Sequence, residues 1–166
     1  IKGSADQLIQ RLENEGINSP ADILLTVDAG RLHRAKNKGL LQSISSDVLI
    51  QNIPESMRDK DNYWFGLSVR ARVIVYSKDR VNEEELSSYE DLANPKWKGR
   101  LAIRSSNNIY NQSLLASIIA ANGSDEAFKW VKSVRENMAR KPRGNDRDQI
   151  RAIASGICLL YTSDAA

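Results

Sequence analysis

The chain has 166 residues, 41% hydrophobic and 27% charged, a balance that permits a buried core in one or two small domains. It holds no run of about 18 apolar residues, so no segment reads as a membrane-spanning helix, and its start at Ile1 resembles no signal peptide. The net charge of +3 is spread thinly, 12 basic against 10 acidic residues in 1–80 and 12 against 11 in 81–166, which disfavours the clustered basic face of a nucleic-acid binder.

Ser4 and Gln7 have capping-box spacing, and Leu8, Ile9 and Leu12 recur on one face until Gly16 offers a left-handed stop, so the first element is a helix. After a turn at Asn18-Ser19-Pro20, the apolar run 22–26 is expected as a short buried parallel strand, followed by a polar helix to Lys38. This alternation favours an α/β architecture. Residues 39–62, rich in Ser, Asp, Asn and Pro, read mainly as loop. Residues 64–76 read as a strand with Val69, Ala71, Val73 and Val75 on one side and Arg70 and Arg72 on the other.

A polar, linker-like stretch from Ser77 to Asp91 leads to Asn94-Pro95-Lys96-Trp97-Lys98-Gly99, and a domain boundary is set between residues 80 and 81. Residues 100–104 are again strand-like, and Ser105-Ser106-Asn107-Asn108 is a loop of helix-capping groups. Leu114, Leu115, Ile118 and Ile119 form an apolar stripe ending at Gly123; a further helix uses Phe128, Val131, Val134 and Met138, and another runs from Asp146 through Ile150 and Ile153 to Gly156. Arg140, Lys141, Arg143 and Arg147, broken by Pro142 and Gly144 and answered by Asp146 and Asp148, read as a solvated loop. One cysteine, Cys158, excludes an internal disulfide and any cysteine-rich zinc site.

The sequence lacks G-x-S-x-G, H-E-x-x-H, C-x-x-C, a P-loop lysine and G-x-G-x-x-G, which argues against an enzyme. His33, the one histidine, lies on a polar helix and reads as solvated. In open α/β sheets ligands collect beyond the carboxyl ends of strands, where helix N-termini present unpaired N–H groups. Two loops qualify. One holds Asp28, which reads as a helix cap or as a ligand; the other leads from Arg104 through Ser105-Ser106-Asn107-Asn108 to Tyr110, which reads equally as a half-buried core aromatic or as a site residue.

Five strings carry a resemblance. Asp6-Gln-Leu-Ile-Gln-Arg-Leu12, residues 19–32, Trp64 through Tyr76 and Asn94-Pro-Lys-Trp-Lys-Gly99 resemble the ferric-iron-binding branch of the class II periplasmic-type solute-binding proteins, and Ser105 through Gln112 resembles its tyrosine-rich subgroup. The resemblance implies an α/β, two-lobed periplasmic-binding-protein type II fold, here with both lobes incomplete, that closes on Fe³⁺ in its cleft. Residues 1–80 would then belong to the first lobe, including a hinge strand, and 81–157 to the second. It further implies a monomer that is periplasmic or extracytoplasmic, free or as a membrane-anchored lipoprotein, with an ABC transporter permease and no nucleic acid as partner.

The implied site follows ferric chemistry. A small, hard, highly charged ion selects anionic oxygen donors; a free tyrosine titrates near pH ~10, but a bound cation stabilises its phenolate. Tyr110 matches the family's tyrosine ligand, and Arg70 matches the arginine that holds the synergistic anion, typically carbonate, in a two-pronged hydrogen bond. Ser106 and Asn145 align with positions that line this anion pocket.

The sequence also departs from the pattern. A histidine or tyrosine ligand near the N-terminus of some relatives has no counterpart, and a glutamate ligand position holds Val27, with Asp28 one residue later. Beyond Ile157 the family continues with an acidic residue, an apolar strand and two adjacent tyrosines. Residues 158–166, Cys158-Leu-Leu-Tyr-Thr-Ser-Asp-Ala-Ala166, fit neither and read as a foreign or frameshifted tail, so Tyr161 is not taken as a ligand. Exposed apolar faces and little iron affinity are expected of the isolated chain. Two other readings are a same-fold receptor for an oxyanion or polyamine, and a basic nucleic-acid-binding domain with steep salt dependence.

Overall fold

The first helix forms as its cap dictates. In the computed structural model, which describes residues 1–165, α1 spans Ala5–Glu15 with Ser4 Oγ accepting from Gln7 N at 3.4 Å and Gln7 Oε1 accepting from Ser4 N at 3.0 Å. Gly16, at φ 52°, ends it where a side chain would be strained. The next helix, α2 (Ala29–Asn37), is capped by Asp28, whose Oδ1 accepts from Gly30 N at 2.8 Å. Asp28 therefore acts as the cap of this helix. Asp6 on α1 joins the pair through Arg31 at 3.0 Å and Arg34 at 2.5 Å, contacts that hold its carboxyl below the ordinary carboxylate range.

Two sequence expectations for residues 1–69 are corrected. The run 22–26 forms no strand, and Ile23 and Leu25 are 85% and 75% exposed. An apolar run becomes a strand only with a ladder partner, and no described strand lies beside this one. Within the expected loop, α3 (Asp47–Asn52) forms instead, because Ser46 Oγ accepts from Leu49 N at 3.4 Å and Asp47 favours a helix N-terminus. A short 3₁₀ turn, Glu55–Met57, follows. Gly66 donates to Met57 O at 2.7 Å, an approach that requires glycine because a Cβ there would sit 2.8 Å from that oxygen. The chain divides into two compact units, Ile1–Val69 and a second that starts at Arg70.

The second unit is built on three strands: β1 (Ala71–Tyr76), β2 (Leu101–Ala102) and β3 (Leu160–Ala165), in the order β1-β3-β2. β1 runs antiparallel to β3, with Val75 opposite Tyr161, and β2 runs parallel to it, with Leu101 opposite Leu160. The expectation that the tail fits no strand is thus corrected. Leu159, Leu160 and Tyr161 supply an apolar, β-prone run, and Cys158, Leu160 and Tyr161 are buried. Ala166, the last tail residue, lies outside the described residues. The strand expected over 64–76 is shorter, beginning at Ala71.

Period-two alternation gives this sheet two packed faces. Leu101 and Leu160 join Val81, Leu92, Trp97 and Val134 on one face, with Ile74 and Tyr76 packed against them. Ala102, Cys158 and Tyr161 join Ala152 and Ile153 on the other, with Val75 beside them. Helices α4 (Ile109–Asn122), α5 (Ser124–Glu136) and α6 (Asp146–Ala154) complete the unit. α5 buries Ala127 and Val134 but leaves Phe128 73% exposed, so only part of its expected apolar face is covered. Buried Asn137 donates to Leu92 O and Asn94 O at 3.0 and 2.8 Å, which anchors the 3₁₀ segments Glu90–Ala93 and Pro95–Trp97.

Candidate functional site

At the carboxyl end of β2 the chain leaves the sheet through Ile103 and Arg104 into the loop 105–108 and then α4. Asn108 caps that helix, its Oδ1 accepting from Tyr110 N at 3.1 Å, which fixes Tyr110 in the first helical turn. Asn111 Nδ2 donates to Arg104 O at 2.8 Å and Ser105 O at 3.2 Å, and Gln112 Nε2 donates to Ser106 O at 3.1 Å. The first turn of α4 therefore holds its own entry loop in place.

Tyr110 is half-buried, and three guanidinium groups surround it. Arg70 Nη1 donates to its hydroxyl at 3.5 Å. Arg72, from β1, lies 5.9 Å from the ring centroid and Arg104 lies 5.8 Å from it, both within cation–π range. Arg72 Nη2 also donates to Asn111 Oδ1 at 2.7 Å and Thr162 O at 3.3 Å, tying β1 to α4 and β3. Arg104 Nη1 pairs with Asp146, the first residue of α6. The phenol thus has one guanidinium at its oxygen and two more beside its ring, a setting suited to an anionic ligand.

Of the four residues singled out in the sequence, Arg70 and Tyr110 meet directly. Ser106 is exposed in the loop just before Tyr110, and its carbonyl is held by Gln112. Asn145 is exposed and acts as the cap of α6: its Oδ1 accepts from Asp148 N at 3.1 Å and its N donates to Asp148 Oδ2 at 2.9 Å. Its link to Tyr110 runs through the adjacent Asp146 and Arg104. The sequence does not mark Arg72, Arg104 or Asp146 as site residues. A signal existed for the first, since Arg72 is two residues from Arg70 and so shares its side of the strand; Arg104 is marked only as a charge at a strand end. Among the described residues no three His, Cys, Asp or Glu side chains gather as a metal set, and exposed His33 lies 3.0 Å from Asn37 Nδ2 through its Nε2.

A family model for bacterial extracellular solute-binding proteins matches residues 18–164. Iron uptake protein A1 of Synechocystis sp. is 54% identical over 156 residues, covering 94% of this chain and 43% of that protein. Among solved structures, Trichodesmium IdiA (FutA) in complex with iron and citrate ligands is 53% identical with a TM-score of 0.95, covering 99% of this chain and 52% of that one. The ferric binding protein from Campylobacter jejuni is 44% identical with a TM-score of 0.92, covering 98% and 52%. The chain spans about half the length of the relatives it matches, and it shares their α/β, type II periplasmic-binding fold.

Proposed function

This chain belongs to the bacterial extracellular solute-binding protein family, and on that premise we propose that it is part of a receptor that captures ferric iron and passes it to an ABC importer. The observation that carries the proposal is the Tyr110 hydroxyl 3.5 Å from Arg70 Nη1 in a cluster of arginines. Phenolate is a donor suited to a hard trivalent ion, and guanidinium is suited to a carbonate-type anion that completes the coordination. Tyr110 is the metal ligand in this proposal; Arg70, Ser106 and Asn145 hold the synergistic anion. Relatives named for iron uptake and ferric binding support the cargo.

The protein binds and releases; it converts nothing. Residues 1–80 contribute to one lobe and 81–157 to the other, with the iron gripped as the lobes close, a motion common to ligand-binding clamps. Further oxygen donors, including an adjacent tyrosine pair in the full-length protein, complete the sphere. The receptor works as a periplasmic or extracytoplasmic monomer, free or as a membrane-anchored lipoprotein, and docks on a permease.

The three guanidinium groups also fit a same-fold oxyanion receptor, and one titration separates the two. Fe³⁺ added with bicarbonate to the full-length protein that carries this chain should produce a visible phenolate-to-iron charge-transfer band. Tight phosphate or polyamine binding with no such band contradicts the ferric reading.

A further inference from the structure

We propose that Arg104 is a positioning residue for the Tyr110 phenolate, setting its electronic character through charge over the ring, an inference that rests on the ferric reading above. Its guanidinium lies 5.8 Å from the Tyr110 ring centroid and pairs with Asp146, so one side chain bridges the metal-ligand helix and the helix that Asn145 caps. The pair is largely shielded, with side chains 17% and 31% exposed.

Arg104 Nε and Asp146 Oδ1 are both buried with no hydrogen-bond partner. Burial of these atoms keeps the guanidinium away from bulk water, where its charge acts on the ring with less screening. Arg104 also cannot slide along the loop, because its own carbonyl accepts from Asn111 Nδ2 at 2.8 Å, one residue after Tyr110. Backbone and side chain of Arg104 are thus both referenced to the same helical turn.

A positive charge held over a phenolate lowers the energy of its filled orbitals and so widens the gap for charge transfer to iron. Removing the charge narrows it. In the full-length protein loaded with Fe³⁺ and bicarbonate, Arg104→Gln should therefore shift the visible charge-transfer band to longer wavelength, and Arg104→Lys should return it close to its original position. The neutral pair Arg104→Gln with Asp146→Asn removes the charge over the ring without leaving a lone carboxylate, which guards against loss of folding, and it should show a smaller shift in the same direction.

The charge-swapped pair, Arg104→Asp with Asp146→Arg, separates the roles. It should recover thermal stability relative to Arg104→Asp alone while the band stays displaced. A band that remains in place in Arg104→Gln and in the neutral pair overturns the inference and leaves the ferric reading intact. A swapped pair that restores the band together with stability also overturns it, since a structural ion pair alone would then suffice. Absence of any band in the unsubstituted protein overturns the ferric reading, and this inference with it.

Discussion

Arg70 Nη1 donates to the Tyr110 hydroxyl across 3.5 Å, joining the residue just before β1 to the second residue of α4. The contact is long for a hydrogen bond between these groups, so a bound anion can take the guanidinium without breaking a strong bond. Arg70→Gln in the full-length protein should therefore weaken anion-dependent iron binding. A charge-assisted bond is worth about 1.5–3 kcal/mol, so chelator competition at fixed bicarbonate should show a loss of about 10- to 100-fold. Arg70→Lys should recover only part, because a lysine lacks the planar fork.

Asn145 has two proposed duties that different substitutions separate. Its side chain and backbone close the capping box of α6 with Asp148. Asn145→Ala should lower stability by about 1 kcal/mol, read as a lower urea midpoint. Asn145→Asp keeps a capping oxygen and suits the helix N-terminus, so stability should hold while an added negative charge near the anion lowers iron binding. Unchanged iron binding in Asn145→Asp would restrict Asn145 to the cap.

Stability should fall on the acid side through Asp59. Burial works against its charged form, but the Lys36 ammonium at 2.8 Å and the backbone N–H groups of Tyr63 and Asp61 outweigh it and hold the carboxyl below its ordinary value of 3.8. A group depressed in the folded state adds stability above its unfolded value and loses it as pH falls through that value toward the folded one. Lys36, raised above 10.5 by Asp59 and then Asp61, has the opposite sign: its share is present below 10.5 and is lost as pH rises through the folded value. Urea midpoints should decline below about pH 4, and Asp59→Asn should flatten that decline while lowering stability at neutral pH.

Cys158 reports on the tail strand. The thiol is 2% exposed, and burial pushes its pKa up, against the opposing pull of Arg140 and Arg80. Because the thiolate is the reactive form, a thiol reagent should label the folded chain slowly and the urea-unfolded chain at once. Equally fast labelling in both would mean that residues 158–165 do not occupy the sheet.

Local signals made the helices legible. The Ser4–Gln7 box, the Asp28 cap and the glycine stops at Gly16 and Gly123 each act within four residues, and each element forms where they place it. Strands depend on distant partners, so residues 22–26 could not reveal that they lack one, and Leu160–Ala165 could not reveal Ala71–Tyr76 opposite. The site divides the same way. Tyr110 and Arg70 were legible through resemblance and do meet, whereas Arg104 and Asp146, 42 residues apart, become partners only when β2 and α6 pack on one sheet.

The most direct test is a Tyr110→Phe substitution in the full-length protein, titrated with Fe³⁺ in the presence of bicarbonate and followed by visible absorption. Loss of the phenol oxygen should weaken iron binding at least about 100-fold, equivalent to ~2.7 kcal/mol, and should reduce or remove the charge-transfer band. An unaltered band with unaltered affinity would show that Tyr110 does not touch the metal and would contradict the proposed site.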